Sequence, residues 1–266
     1  MSNKGLEIAL GATLMDSNNL VWNTSLFYSK NENKVEDLTD GLDNFTYNTS
    51  SDNNIAVKAT EGGSIGDIYG KVLTGETDAS GIPTASAAPT ELLGNTEPDF
   101  LAGWSNTIRF NDFSMSFLID ARVGGQIYSQ TSADLDRQGV SKRSLQYRDG
   151  ILVNGINTGT GVANTERISG EEYWTAMGNV SGNYIFDQDN IRLRELSIGY
   201  NISGVEQFGL QSANIQLVGR NLFFLSKSAD DIDPEMVLGT SFGTQGMSHN
   251  AMPTLRSLGI NLTLNF

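Results

Sequence analysis

The stretch that decides the fold is the C-terminal one, Leu255-Arg-Ser-Leu-Gly-Ile-Asn-Leu-Thr-Leu-Asn-Phe266. Its apolar side chains fall on one parity and its polar or small ones on the other, namely Leu258, Ile260, Leu262, Leu264 and Phe266 against Ser257, Gly259, Asn261, Thr263 and Asn265. Successive side chains of a strand point to opposite faces, so this pattern predicts a strand with one apolar face. A soluble edge strand of this kind templates aggregation, whereas a membrane barrel closes the edge and turns the apolar face to lipid. The stretch therefore favours a membrane barrel over a soluble β-sheet protein.

The composition excludes several other classes of protein. The chain has 266 residues, and no run of about 18 apolar residues exists in it, which excludes helical membrane spans. A formal net charge of −14 argues against nucleic-acid binding through a basic patch. The lack of cysteine excludes a disulfide scaffold and a thiolate metal site. A hydrophobic content of 38% suits a barrel, in which only alternate residues meet lipid.

Alternating segments recur along the whole chain and predict about nine strands. They cover approximately residues 6–14, 20–28, 45–60, 64–74, 100–110, 113–121, 191–200, 213–224 and 255–266, of which 45–60 is the weakest. The clearest hairpin joins the fifth and sixth of these segments through Asn111-Asp112. Residues 124–190 show no sustained period, although 133–147 could form a short helix. An insertion of that length in a compact domain is usually functional.

The lengths of the connections also sort in a regular way. Short connections near 16–19, 61–63, 111–112 and 203–211 alternate with long ones near 31–44, 75–99, 124–190 and 225–254. Outer-membrane barrels have short periplasmic turns and long extracellular loops. This sorting predicts that the last strand runs inward, with Phe266 at the periplasmic rim. Phe110, Phe113 and Tyr200 would join it in an aromatic girdle there.

The N-terminus predicts a missing part. Met1-Ser-Asn-Lys leads directly into a strand pattern, without a signal peptide. An outer-membrane protein needs such a leader. Either the barrel interpretation is wrong or the N-terminal part of a longer protein is absent.

Three motifs go beyond a generic barrel pattern. They are Asn190-Ile-Arg-Leu-Arg-Glu-Leu-Ser-Ile-Gly-Tyr200, Val218-Gly-Arg-Asn-Leu-Phe-Phe224 followed by Asp233-Pro-Glu235, and the terminal stretch. In this order and spacing they resemble the end of the SusC/RagA-type TonB-linked outer-membrane proteins of Bacteroidota. Upstream segments such as Pro98-Asp-Phe-Leu-Ala-Gly-Trp104 and Arg122-Val-Gly-Gly125 resemble the same family.

The resemblance implies an all-β fold, an antiparallel transmembrane β-barrel segment with long extracellular loops. The barrel of that family has roughly 22 strands and a plugged lumen, so residues 1–266 would be its C-terminal part, without the plug domain and the first strands. The implied function is the barrel wall and extracellular loops of a TonB-dependent importer of oligosaccharides or peptides, without enzymatic activity. The implied partners are a SusD-like lipoprotein lid, TonB through the missing N-terminal part, outer-membrane lipid and the barrel-assembly machinery.

Candidate functional residues fall at the two ends of the predicted barrel. The terminal strand resembles the signal read by the assembly machinery, with Gly259, Leu262, Leu264 and Phe266 as its carriers. Aromatic side chains in the longest loop could stack on sugar rings or anchor the loop by packing, namely Tyr173, Trp174, Tyr184 and Phe186.

Charged residues suggest further roles. Arg192 and Arg194 share a parity with Leu196 and Ile198, and we expect them to pair with lumenal or interfacial charges, because a charge facing mid-bilayer lipid costs about 2–4 kcal/mol. The acids Asp230, Asp231, Asp233 and Glu235 could chelate Ca²⁺, but they lack the EF-hand pattern and are better explained as part of the family motif. No other cofactor is expected.

Two rival interpretations stay open. The first is an autonomous small outer-membrane barrel that serves as an adhesin or structural protein. The second is a secreted carbohydrate-active β-sandwich, which would need a carboxylate pair. Glu171 and Glu172 are adjacent and would point apart, and the single histidine, His249, lies in a polar loop without a nucleophile elbow around any serine. We therefore expect no catalytic residues and no metal site.

Overall fold

A sheet of seven long strands dominates the structure, a computed structural model that describes residues 1–50 and 54–266 apart from the side chains of Phe208 and Phe242. The strands are β1 (Ser2–Asp16), β2 (Leu20–Lys34), β3 (Phe100–Phe110), β4 (Phe113–Val123), β5 (Asn190–Ile202), β6 (Ser212–Lys227) and β7 (Ser257–Asn265). They lie side by side in chain order, and each is antiparallel to its neighbours. We call this sheet the wall.

The register of the wall aligns side chains of one kind into rows. One row crosses six strands and consists of Trp22, Ile108, Met115, Ile198, Leu217 and Ile260. The neighbouring row on the other side consists of Val21, Arg109, Ser114, Gly199, Gln216 and Asn261. The wall thus has an apolar face and a largely polar face, as the alternation predicts.

Polar groups that fall on the apolar face are covered by indole rings. The Trp22 Nε1–H donates to Asn106 Oδ1 at 2.9 Å, and the Trp104 Nε1–H donates to Thr24 Oγ1 at 2.9 Å. Asn106 is buried as a result. The indole N–H groups thus satisfy Asn106 Oδ1 and Thr24 Oγ1 within the apolar face, while Asn106 Nδ2 is buried without a hydrogen-bond partner among the described residues.

Connections at one end of the wall are short and those at the other end are long. The short ones are residues 17–19, 111–112 and 203–211, and the long ones are residues 35–99, 124–189 and 228–256. The β3–β4 turn is closed by Asn111 at a φ of 50°, a left-handed conformation that asparagine tolerates. Phe113 and Tyr200 contact each other at this end, with ring centroids 4.7 Å apart.

The predicted strands at 45–60 and 64–74 are not part of the wall. Asn44–Thr49, Ile55–Thr60, Asp67–Gly70 and Glu91–Asn95 form a separate four-stranded sheet, and residues 51–53 of the prediction lie outside the described residues. Ile55–Thr60 is buried on both faces, so it is a core strand and not a one-sided wall strand. The connection at 61–63 consequently belongs to the long-segment end. Because two strands drop out together, β7 still runs toward the short-turn end.

The described residues of 35–99, 124–189 and 228–256 are folded, and we call these three segments together the cap. Besides the four-stranded sheet they hold three smaller sheets, formed by Leu73–Thr77, Pro83–Ala85 and Ile156–Asn157, by Gln126–Ser129, Ile185–Asp187 and Met247–Ser248, and by Ile151–Leu152 and Arg167–Ile168. Its helices are α1 (Gln130–Arg137), α2 (Gly170–Met177) and α3 (Phe242–Gln245), with 3₁₀ turns at Arg143–Leu145 and Ser181–Tyr184. A third 3₁₀ turn, Glu206–Phe208, lies at the other end of the wall. The helix expected within 133–147 is thus α1 and the turn after it.

The cap has one main hydrophobic core to which all three segments contribute. Ile55, Val57 and Ile68 come from the first segment, Tyr128, Ala133 and Tyr184 from the second, and Met247 from the third. These side chains are almost fully buried. Within the described residues, none of the helices is long and apolar enough to cross a membrane.

Candidate functional site

A group of charged side chains joins the wall to the third cap segment. The Arg192 Nη1–H donates to Glu235 Oε2 at 2.6 Å, and Arg194 donates to the same oxygen at 3.0 Å. The Arg194 Nε–H also donates to Asp120 Oδ2 at 2.7 Å, and its Nη1–H donates to Asn221 Oδ1 at 3.0 Å. We call Asp120, Arg192, Arg194, Asn221 and Glu235 the arginine cluster. One carboxylate of the cap is thereby bound by two guanidinium groups of the wall.

The expectation that Arg192 shares a face with Leu196 is wrong. Leu196 pairs with Phe117, whereas Arg192 pairs with Asp120. Phe117 and Asp120 are three residues apart in β4, which is regular against β3, so they point to opposite faces. The register slips between Leu193 and Glu195, and this β-bulge turns the arginines away from the apolar face. The expected charge pairing of both arginines is present.

The partner strand carries the matching irregularity at Gly219-Arg-Asn-Leu222. Asn221 has a φ of 51°, and its side-chain amide donates to the Leu255 carbonyl at 3.2 Å. A Cβ at position 219 would lie 2.7 Å from Leu222 Cδ2, so a larger residue there would require the leucine side chain that folds over Gly219 to move. The residues of this motif therefore build the bulge that aims the arginines.

Asp233 closes the other end of the same cap segment. Its Oδ2 accepts from the Thr254 backbone N–H at 2.9 Å and from the Thr254 hydroxyl at 2.6 Å, while Oδ1 accepts from the Glu235 N–H at 3.0 Å. Burial by itself would raise the pKa of Asp233, but these hydrogen bonds outweigh it and lower the pKa below its ordinary value. The ionised Asp233 side chain thus joins the start of the third cap segment to Thr254 near its end.

These contacts engage the carboxylates of Asp233 and Glu235 with partners inside the protein. The described part of the chain holds no group of three or more His, Cys, Asp or Glu side chains placed to bind a metal ion. Calcium binding by Asp230, Asp231, Asp233 and Glu235 stays a prediction.

A further arginine ties the other two cap segments to the wall. The Arg122 Nη2–H at the end of β4 donates to the Thr96 carbonyl at 2.6 Å and to Gln188 Oε1 at 2.8 Å. Arg122 lines a cleft of about 460 Å³ between wall and cap together with three members of the arginine cluster, Asp120, Arg194 and Glu235. Wall arginines therefore contact all three cap segments at this cleft.

The predicted loop aromatics are mostly packed inside the cap. Tyr184 is fully buried, and its hydroxyl donates to Asp136 Oδ2 at 2.9 Å. Burial raises the pKa of this hydroxyl, and the Asp136 charge raises it further. Phe186 packs against the core, and the buried Trp174 donates its Nε1–H to the Gln146 carbonyl at 3.1 Å. Tyr173 is partly buried and packs against the cluster of Trp174, Met177 and Val180. Contact of these aromatic side chains with a sugar ring stays a prediction.

Sequence reasoning missed Tyr147, which completes an aromatic group with Tyr173 and Trp174. Its ring centroid lies 5.0 Å from that of Tyr173 and 6.3 Å from that of Trp174. Tyr147 has a φ of 64°, and a side chain in that conformation leaves no mark in a local sequence pattern. Nothing in the polar stretch around it could have identified it.

The residues expected to carry the assembly signal lie along the outer strand of the wall. Leu262 pairs with Ile215 and Leu264 with Ala213, and both leucines are exposed. Phe266 is 81% exposed, and a Cβ at Gly259 would meet nothing within 4 Å. The apolar edge is thus open to another molecule, and recognition by the assembly machinery stays a prediction.

The residues weighed for catalysis have other surroundings. Glu172 accepts from the Ser169 backbone N–H at 2.8 Å and caps α2, beside the exposed Glu171. His249 is exposed in the third cap segment. No interaction among the described residues links His249 to a serine and a carboxylate in a hydrogen-bonded chain.

Comparison with known proteins bears out the family resemblance. TonB-dependent receptor P3 of Formosa agariphila is 25% identical over 304 residues, and TonB-dependent receptor P26 of the same organism is 24% identical over 299 residues. These alignments cover 100% and 99% of this chain but 29% of each relative. The chain therefore spans less than a third of the length of the curated relatives it matches. No family model matches it.

Solved structures share the fold of the chain. A chain of the RagAB peptide transporter superposes with a TM-score of 0.65 at 16% identity, over 99% of this chain and 29% of that one. The RagAB peptide importer in its open-open state gives a TM-score of 0.63 at 16% identity, over 99% of this chain and 28% of that one. The predicted all-β, antiparallel fold class is confirmed, although the wall has seven strands and not nine.

Proposed function

Because this chain is a homologue of TonB-dependent receptors over its whole length, we propose that it is the C-terminal barrel portion of an outer-membrane nutrient importer. The observation that carries the proposal is the geometry of the wall. Seven strands have one apolar and one polar face, with short turns at one end and a folded cap at the other. The apolar face meets outer-membrane lipid, the polar face lines the lumen, and the cap lies outside the cell.

The edges of the wall support a larger barrel over an autonomous small one. Within the described chain β1 pairs with β2 and β7 pairs with β6, and the two outer strands do not pair with each other. Unpaired backbone groups cannot face hydrocarbon, so both edges need further strands. An N-terminal part of the same receptor supplies those strands together with the plug and the contact to TonB. The matched length of the relatives, 29%, agrees with this division.

A SusD-like lipoprotein is the proposed partner of the cap. Several apolar side chains of the cap are exposed, among them Val140 at 68% and Val162 at 61%. A contiguous patch of exposed apolar side chains marks an interface with another protein, and these side chains are our candidates for such a patch. Substrate, either oligosaccharide or peptide, would pass between this partner and the lumen without covalent chemistry.

Energised uptake tests the importer function. The gene for the whole receptor is deleted, and uptake of labelled oligosaccharide and peptide mixtures is compared in wild-type, deleted and complemented cells, with and without a protonophore. We expect uptake of one mixture to depend on both the gene and the proton gradient. Unchanged uptake together with lost surface adhesion would instead support the adhesin alternative.

A further inference from the structure

The turn that carries Tyr147 is held in a conformation that a tyrosine adopts only at a cost. Its φ of 64° brings Cβ close to the following carbonyl oxygen. The Gly150 N–H donates to the Tyr147 carbonyl at 2.8 Å and closes the turn. A Cβ at Gly170 would lie 2.6 Å from the same carbonyl oxygen, so α2 begins with a glycine where the turn presses against it. The surrounding chain thus enforces this conformation.

The result of the enforced turn is a half-open aromatic surface. The Tyr147 ring meets Tyr173 edge to face and lies nearly parallel to Trp174, at an interplanar angle of 25°. Tyr147 remains 41% exposed. A glycine or asparagine would close the same turn at a lower cost. The turn alone therefore does not account for a tyrosine at position 147, and the position of its ring does. Such strain concentrates at functional sites.

A cleft of about 490 Å³ adjoins this surface and shares Trp174 with it. Side chains with hydrogen-bonding groups line the cleft, namely Asp136, Arg137, Gln138, Ser144, Arg148, Ser169 and Glu171. Two of these are acidic and two are basic, so their formal charges cancel. The cleft therefore offers many polar contacts without favouring a charged ligand.

We propose that the Tyr147 surface and the adjoining cleft bind a pyranose ring of a neutral oligosaccharide, which makes this a substrate-capture site of the proposed importer. The apolar face of a sugar ring stacks on an aromatic ring, and its hydroxyl groups both donate and accept hydrogen bonds. Arg148 and Glu171 supply a donor and an acceptor at the cleft.

An extended peptide fits the same surface less well. Peptides commonly bind by adding a strand to a sheet edge, which requires exposed strand backbone. Of the described residues that line the cleft, all belong to helices, turns or a helix cap, and none to a strand. The geometry thus supports a saccharide ring over main-chain pairing.

Calorimetric titration of the purified full-length receptor tests this site. The probes are maltohexaose, laminarihexaose and cellohexaose, with hexa-alanine as the peptide comparison. We expect at least one hexasaccharide to bind and Tyr147→Ala to weaken that binding about tenfold. Tyr147→Phe keeps the ring and should bind as the wild type does. Tyr47→Ala, which removes another exposed tyrosine of the cap, is the matched control.

Tyr147→Gly separates a binding role from a structural one. Glycine accepts the enforced φ, so this variant should keep the wild-type melting temperature and lose the sugar. The proposal is overturned if no hexasaccharide binds the wild type, or if Tyr147→Ala and Tyr147→Gly both bind the hexasaccharide as tightly as the wild type does. It is also overturned if these two variants weaken the binding of hexa-alanine only. The titration needs no proton gradient, so binding that depends on Tyr147 without energised uptake would contradict the importer function alone.

Discussion

At the scale of single residues, the geometry of the wall depends on a few positions whose backbone conformation or close packing is unusual for a strand. Asn221 takes a left-handed conformation, and Gly219 makes room for Leu222. Both lie at the bulge where the pairing slips between Leu193 and Glu195, and the bulge decides which face Arg192 and Arg194 occupy. Local backbone geometry at two residues therefore places two charges.

Asn221→Ala should destabilise the protein. Alanine pays about 1–2 kcal/mol for the left-handed conformation and also loses the hydrogen bonds to Arg194 and the Leu255 carbonyl. Asn221→Gly accepts the φ and loses only the side-chain bonds. Thermal unfolding of the receptor in detergent should rank wild type above Asn221→Gly and that above Asn221→Ala. Equal midpoints for alanine and wild type would show that the bulge stores no such cost.

At the scale of elements, the third cap segment is held at both ends by carboxylates. Glu235 binds two wall arginines, and Asp233 binds Thr254 shortly before β7. Arg192 is only 3% exposed, so its charge is balanced by Glu235 and not by water. The segment is therefore anchored electrostatically where it leaves and rejoins the wall.

Glu235→Gln should free this segment. Removing one partner of a buried ion pair leaves an uncompensated charge and costs about 3–5 kcal/mol. We expect amide hydrogen exchange in residues 228–256 to rise sharply while exchange in the wall strands stays slow. Asp231→Asn removes the charge of a nearby exposed acid and should leave exchange unchanged. Identical exchange in both variants would mean that the arginine cluster does not hold the segment.

Acid should release the Asp233 contact. The pKa of Asp233 is lowered in the folded protein, so its contribution to stability is fully present above the unfolded value of about 3.9 and is lost as the pH falls through the folded value. Pepsin cleavage within residues 228–256 is compared for wild type and Asp233→Asn at each pH. Wild type should be better protected near pH 5, and the difference should vanish toward pH 2. A difference that persists at pH 2 contradicts this account.

The wall was predictable from sequence where its cause is local, and the cap was not. The β3–β4 hairpin and β7 follow from alternation over about ten residues, which a single strand encodes by itself. Ile55–Thr60 carries apolar side chains because the cap buries both its faces, and that burial depends on residues more than a hundred positions away. The bulge between Leu193 and Glu195 moves Arg192 to the face opposite Leu196, and the amino-acid composition of β5 gives no sign of this change. Asn221 in the facing strand β6 could have indicated the bulge, because asparagine is rare within strands.

At the scale of the whole molecule, the rows of the wall divide its strand residues between an apolar and a polar face, which the proposed function assigns to lipid and lumen. Leu217 stands in the apolar row, and its neighbour Gln216 stands in the polar row. Both are central in the wall, away from the turns. The difference between them is therefore the face alone.

Leu217→Arg and Gln216→Arg form a matched test of this assignment. A charge on the lipid face near mid-bilayer costs about 2–4 kcal/mol, whereas an arginine in the lumen remains hydrated. We expect Leu217→Arg to lower the amount of heat-modifiable, assembled receptor in outer-membrane fractions and Gln216→Arg to leave it near the wild-type level. The reverse order would exchange the two faces, and equal amounts would argue against a membrane wall.

The shared core of the cap has a consequence for how such receptors diversify. Ile68, Tyr184 and Met247 come from three segments that are far apart in the gene yet fill one interior. Recombination that replaces one of these segments with that of another receptor would disrupt the packing of a core to which all three segments contribute. New ligand ranges should therefore be inherited as whole sets of three segments, or through point changes at surface positions such as Tyr147, while the strands between them pass unchanged from one lineage to the next.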